Sequence, residues 1–230
     1  MPPVQRTVQR TEPRRKLSHQ QVAETALDLL DREGIDAFSM RRLADELGVG
    51  TMTLYGYFRS KRELLDAVVD VAMPGLDPEL GLGPWRERLA ALVRTARRGL
   101  VRHPALVQIR VREPVLRPDA LRFSEAGLRI LMAAGFDPGD AARAFRLLFT
   151  YTLGYAAFSP SDAEEDNRAA ARAAIAALPP EQYPALTSSR EEAAAAMGGE
   201  EAFEYGLERI LDGLDASLGS RSRPTPGSGR

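Results

Sequence analysis

The 24 residues from Phe38 to Lys61, FSMRRLADELGVGTMTLYGYFRSK, restrict the fold more than any other stretch of this chain. Ser39 offers an N-cap oxygen to a short helix that carries Leu43, Ala44 and Leu47 on one face, and Gly48 suits the tight turn that stops it. A second short helix is expected over Thr51 to Tyr57. Two short helices joined by about three or four residues that include a glycine form a helix-turn-helix, whose second helix can lie in the major groove of DNA. The flanking sequence must then brace this unit.

It has the pattern to do so. Ser18 with Gln21 makes a capping box, and Val22, Ala26, Leu29 and Leu30 recur at helical spacing, so helix 1 runs from about His19 to Glu33. Gly34 stops it, and Ile35 and Phe38 pack the link into helix 2. Ser60 with Glu63 opens helix 4, with Leu64, Leu65, Val68, Val69 and Ala72 on its buried side. Residues 74–84 are rich in Pro and Gly and mark a domain boundary. Beyond it helix 5 carries Trp85, Leu89, Leu92, Val93, Ala96 and Leu100 to about Arg102, where His103-Pro104 breaks it. Helix 6 lies around Ala105 to Val111, helix 7 around Asp119 to Ala134, and helix 8 runs from an Asp137 cap to about Phe158. A ninth helix is expected within 162–178 and a loop at 179–189. Helix 10, about Glu200 to Leu218, has a stripe of Phe203, Leu207, Ile210, Leu211 and Leu214. No stretch alternates as a strand does. The expected fold is all-α: a basic arm (1–17), a three-helix DNA-binding domain with its linking helix 4 (18–73), a larger helical ligand-binding and dimerisation domain (84–218) and a disordered tail (219–230).

Composition removes several classes of function. No run of about 18 apolar residues exists to span a bilayer, and no apolar block follows the basic N-terminus as in a secretory signal, so a cytoplasmic protein is expected. The absence of cysteine excludes disulfides, thiol nucleophiles and thiolate zinc sites, and leaves His19 and His103 as the imidazoles. No nucleophile–base arrangement stands out, so neither an enzyme nor a cofactor is expected. The net charge of −1 conceals a gradient: up to Arg62 there are eleven Lys or Arg against eight Asp or Glu, and Arg6, Arg10, Arg14, Arg15 and Lys16 crowd the arm.

Residues 23–68 resemble the three-helix DNA-binding unit and linking helix of the tetracycline-repressor (TetR) family of bacterial transcription regulators. Leu43-Ala44, Leu47-Gly48-Val49, Thr53-Leu54-Tyr55, Phe58 and Lys61 carry the likeness. Trp85 to His103, Gly135 to Gly154 and residues 202–214 are similar, more weakly, to the ligand-binding domain of the tetracycline repressors. The resemblance implies a repressor bound to double-stranded, palindromic operator DNA and released when a small hydrophobic or drug-like inducer enters a dimeric body and moves the DNA-reading heads apart. An activator, a regulator answering a protein partner, and an enzyme using the motif as scaffold are the rival readings. Helices 8 and 10 have the longest apolar stripes and are expected to pair across the homodimer, Leu207 and Leu211 among the interface residues.

Matched residue by residue, the resemblance gives DNA contact to Thr51, Met52, Thr53, Tyr55 and Tyr57. Lys61 is expected on phosphate at the start of helix 4, with Arg41, Arg42 and Arg59 as further candidates. None of the five recognition-helix residues is an Arg, Asn or Gln able to make a bidentate base contact, so readout leans on apolar contact and shape. Tyr55 and Tyr57 are alternatively packing residues; Leu54 and Phe58 are assigned to the core. Gly56 departs from the bulkier residue common at that place. The pocket is expected to draw on Leu100, His103, Leu106, Gln108, Ile109, Phe123, Phe145, Phe149 and Thr152, every apolar member being also a reasonable core residue. His103 stands where the tetracycline repressors place an imidazole beside a metal-bound drug. No further oxygen ligands are identified, so no metal site is assigned.

Overall fold

A computed structural model describes residues 17–73, 83–112, 118–158 and 164–221, and these contain twelve α-helices and no strand. The basic arm up to residue 16, the linker at 74–82 and the tail beyond 221 lie outside the described residues.

The caps read from sequence fix the first four helices. Ser18 and Gln21 form a reciprocal capping box at the start of α1 (His19–Ala37), and Gly34, at φ 79°, kinks that helix where its end was expected. Ser39 Oγ accepts the Arg42 N–H to open α2 (Met40–Glu46), and Gly48, at φ 65°, turns the chain toward α3 (Thr51–Tyr57). Ser60 Oγ accepts the Glu63 N–H at the start of α4 (Lys61–Ala72), while Glu63 Oε2 reaches back to the Arg59 N–H at 2.6 Å. The Leu and Val residues that these helices turn inward form one apolar core, with Val22, Leu29, Leu43, Leu54, Leu64, Leu65 and Val68 all sealed from solvent.

The body consists of α5 (Trp85–Arg102), α6 (Pro104–Arg112), α7 (Pro118–Ala133), α8 (Pro138–Phe158) and α12 (Glu200–Arg221). A second core joins α5, α7, α8 and α12 through Leu89, Leu92, Ile130, Leu131, Leu148, Phe203, Leu207 and Leu211. Glycine notches let rings into it: a Cβ on Gly127 would stand 2.3 Å from the Phe145 ring, and one on Gly206 would stand 2.2 Å from Tyr151 Oη. A charged seam ties α5 to α12. Arg94 grips Glu204 with two nitrogens at 2.8 and 2.5 Å, Arg86 Nη2 lies 2.6 Å from both Glu208 and Asp212, and Arg97 meets Glu200. Between these layers α9 (Glu164–Ala176), α10 (Pro184–Ser188) and α11 (Arg190–Ala195) pack chiefly on one another.

Three expectations need correction. Residues 179–189 are not wholly loop: Pro184 opens α10 with a Pro at the first helical turn, where its missing N–H costs nothing. The final helix continues through 219–221, which were expected to be tail. Leu207 and Leu211 are 0% exposed within one protomer, so they belong to the body core; the outward side of α12 carries Tyr205, 71% exposed, and that of α8 carries Leu147 and Phe158.

Candidate functional sites: a DNA-reading head and a helical body

α3 is gripped from one side. Leu54 and Phe58 are buried, and the His19 ring of α1 meets the rings of Tyr57 and Phe58 edge-on at 5.2 and 5.4 Å. The other side is open: Met52 is 82% exposed, and Thr53, Tyr55 and Gly56 are exposed beside it. Thr51 and Tyr57 are half-buried at the helix ends, so of the two tyrosines Tyr57 doubles as a packing residue. Lys61 Nζ donates to the Phe38 carbonyl at 2.8 Å and lies 5.2 Å from the Phe38 ring centre. An ammonium has three N–H donors, so this bond leaves it able to reach a phosphate. Arg41 is exposed, whereas Arg42 is drawn back onto Glu33 and Glu46 and fastens α2 to α1. Hydrogen bonds from Arg32 and Arg42 hold the Glu46 carboxyl below the usual carboxylate range.

The nine residues assigned to a pocket fall into two groups. Phe123, Phe145 and Phe149 of α7 and α8 form a ring cluster, with centroids 5.3 to 6.4 Å apart. Phe149 is half-buried and carries two guanidinium groups over its ring, Arg110 at 5.3 Å and Arg146 at 5.7 Å. Thr152, one turn on from Phe149 along α8, is buried and donates its hydroxyl to the Leu148 carbonyl. Leu100, Leu106 and Ile109 instead join the core of the head, which extends into α6. His103 and Gln108 face α1: His103 Nδ1 lies 2.7 Å from Asp31 Oδ2, and Gln108 Oε1 accepts the Ile35 N–H at 3.4 Å. Asp31 Oδ1 also accepts the Ala105 N–H at 3.4 Å, so one carboxylate of α1 holds the entrance of α6.

α6 therefore has two faces. One is built into the head and the other, through Arg110, touches the ring cluster of the body. Asp31 and Arg110 went unnoticed in the sequence because their partners stand 72 and 39 positions away, and no periodic signal links residues so far apart. Among the described residues no cluster of His, Asp and Glu could hold a metal ion, and no helix is long and apolar enough to cross a membrane.

A helix-turn-helix with an exposed recognition face, joined through a shared core to a larger helical body, defines a regulator that reads DNA with one end and is set by the other. Comparisons with known proteins agree. Residues 22–68 match the model of the bacterial regulatory proteins of the tetR family, and residues 77–218 match the tetracyclin repressor-like C-terminal domain. The repressor DrrR1 of Streptomyces coeruleorubidus is 34% identical over 219 residues, covering 91% of this chain and 81% of its own. The class A tetracycline repressor of transposon 1721 from Escherichia coli is 32% identical over 209 residues, 86% of this chain and 91% of its own. Among solved structures, the Streptomyces coelicolor TetR family protein ActR in complex with actinorhodin superposes with a TM-score of 0.71 at 30% identity, over 89% of this chain and 100% of that one. The chain belongs to the TetR family of transcriptional regulators.

Proposed function

We propose that the protein is a transcriptional repressor that occupies operator DNA as a homodimer and leaves it when a flat, multi-ring organic molecule binds the body. The observation that carries this reading is the continuity of the head core with α6. A ligand that displaces α6 must shift α1 or break the contacts at Asp31 and Gln108, because packed cores switch between arrangements and do not stretch.

In this reading Met52, Thr53 and Tyr55 face the groove, Thr51 and Tyr57 flank it, and Lys61 and Arg41 take phosphates. The ligand class follows from the Phe123, Phe145 and Phe149 rings, which accept a flat aromatic face, and from Arg110 and Arg146, whose guanidinium groups suit its phenolic or carbonyl oxygens. The actinorhodin bound by ActR and the drug for which the tetracycline repressors are named are multi-ring compounds of that kind. Thr152 lies deeper along the same helix, while Leu100, His103, Leu106, Gln108 and Ile109 form the α5–α6 corner that responds. The second copy meets α8 and α12 on the side of Leu147, Phe158 and Tyr205. The protein works in the cytoplasm by binding alone, without turnover.

The test is an electrophoretic shift with DNA flanking the gene, challenged by actinorhodin, minocycline and a panel of planar aromatic compounds, with and without magnesium. A specific shift abolished by a member of the panel supports the reading. A shift that every compound leaves intact counts against it.

A further inference from the structure

Glycine inside a helix is destabilising by about 0.5–1 kcal/mol relative to alanine and needs a reason. In most helices here the reason is visible. Gly34 takes a positive φ, Gly99 lies against Met73 at 3.0 Å, and Gly127 and Gly206 receive the rings of Phe145 and Tyr151. Four helix glycines, Gly56, Gly154, Gly213 and Gly219, have neither a positive φ nor any atom within 4 Å of where a Cβ would stand. Three of them lie on α8 and α12, the helices assigned above to the second copy. The fourth, Gly56, lies in the middle of α3, a helix of seven residues.

We propose that Gly56 is a specificity-determining residue of the DNA contact: the bare backbone of α3 at this point lets the operator come closer than any side chain would allow. Gly56 stands one turn beyond Met52 and Thr53, so the three share the exposed face of α3. Of the usual uses of glycine, a left-handed backbone and tight internal packing are both absent at Gly56, which leaves close approach of the backbone to a bound partner. This also gives a physical form to readout on a helix without Arg, Asn or Gln. The groove wall packs on backbone and small groups, and discrimination comes from fit, with a base pair of the wrong shape losing contact along the whole turn.

The proposal rests on the DNA-binding reading, and Gly56→Ala tests it with opposite signs in one protein. Nothing in the free chain obstructs the new methyl, so Gly56→Ala should raise the thermal midpoint by about 2–4 °C. It should also weaken binding to DNA flanking the gene by about tenfold, the loss of one good contact, while leaving affinity for a scrambled duplex of equal length unchanged. Equal affinity of Gly56→Ala and the parent for the flanking DNA overturns the proposal. So does an equal loss on both duplexes, which would mean a general electrostatic or folding effect. A parent that does not distinguish the two duplexes would instead refute the operator reading, so the two failures are told apart in the same titration.

Discussion

The head and the body solve the same packing problem with different materials. The head is closed by Leu, Val and Ala, with Ser18, Ser39 and Ser60 capping α1, α2 and α4 at defined points. The body is closed by rings set into glycine notches and by a seam of Arg and carboxylate groups between α5 and α12. Branched aliphatic side chains interlock in one arrangement, which suits a unit that must present Met52, Thr53 and Tyr55 at fixed spacing. Rings stacked at 5 to 6 Å, as in Phe123, Phe145 and Phe149, can slide over one another or over a ligand at little cost. α6 belongs to both regions, which is why the division of labour can become a switch.

Removing one core side chain from each region gives the largest expected effects. Leu54→Ala should cost about 2–5 kcal/mol and Phe203→Ala about 3–5 kcal/mol. Leu54→Ala should abolish operator binding together with helical signal from the head. Phe203→Ala should loosen the body while the head still folds, because Phe203 supports Tyr151, Tyr155 and Arg97 and touches nothing in the head core. Chemical denaturation followed by separate probes in head and body would distinguish the two. Identical loss of both regions in both variants would erase the contrast.

The glycine notches come next. Gly206→Ala forces a Cβ against Tyr151 Oη and should cost about 1–3 kcal/mol by overpacking. A denaturation midpoint equal to that of the parent would show that the notch is not filled.

A smaller effect appears in alkali. Burial of the Tyr151 phenol, which donates to the Phe203 carbonyl at 2.8 Å, raises its pKa from 10.0 to about 12. The folded state therefore keeps a proton that the unfolded chain releases. The stability that this phenol supplies is full below pH 10 and is lost as pH rises toward 12. Unfolding midpoints at pH 9 and 11.5 should differ more in the parent than in Tyr151→Phe, and an equal difference would remove the phenol from the account. The smallest change is expected at the surface of the head. Lys61→Ala should lower the slope of log affinity against log salt by roughly one unit on any duplex. An unaltered slope would place Lys61 off the phosphates and leave it as a brace for Phe38.

The head was legible in the sequence and the body only in outline, for a physical reason. Caps, glycine stops and the apolar faces of α1 to α4 are local, so Ser18, Ser39, Gly48 and Ser60 could be read one turn at a time. The pocket residues are set by which helix faces meet across the fold. Leu106 and Phe145 have the same apolar character in sequence, yet Leu106 enters the head core and Phe145 the body core. Leu207 and Leu211 were expected between subunits for the same reason: a stripe shows that a helix face is buried but not against what. The pairing of Asp31 with His103 rests on a contact across 72 positions and has no local trace.

The central claim is that α6 passes the state of the body to the head, and a double-mutant cycle on operator affinity tests it without any ligand. Phe149→Ala removes the ring beneath Arg110 on the body side of α6, and Asp31→Ala with Gln108→Ala releases α6 from α1 on the other side. The account predicts that Phe149→Ala changes affinity for the flanking DNA by about fivefold in the parent, and that this change disappears once Asp31 and Gln108 are replaced. The same fold-change from Phe149→Ala in both backgrounds would contradict it.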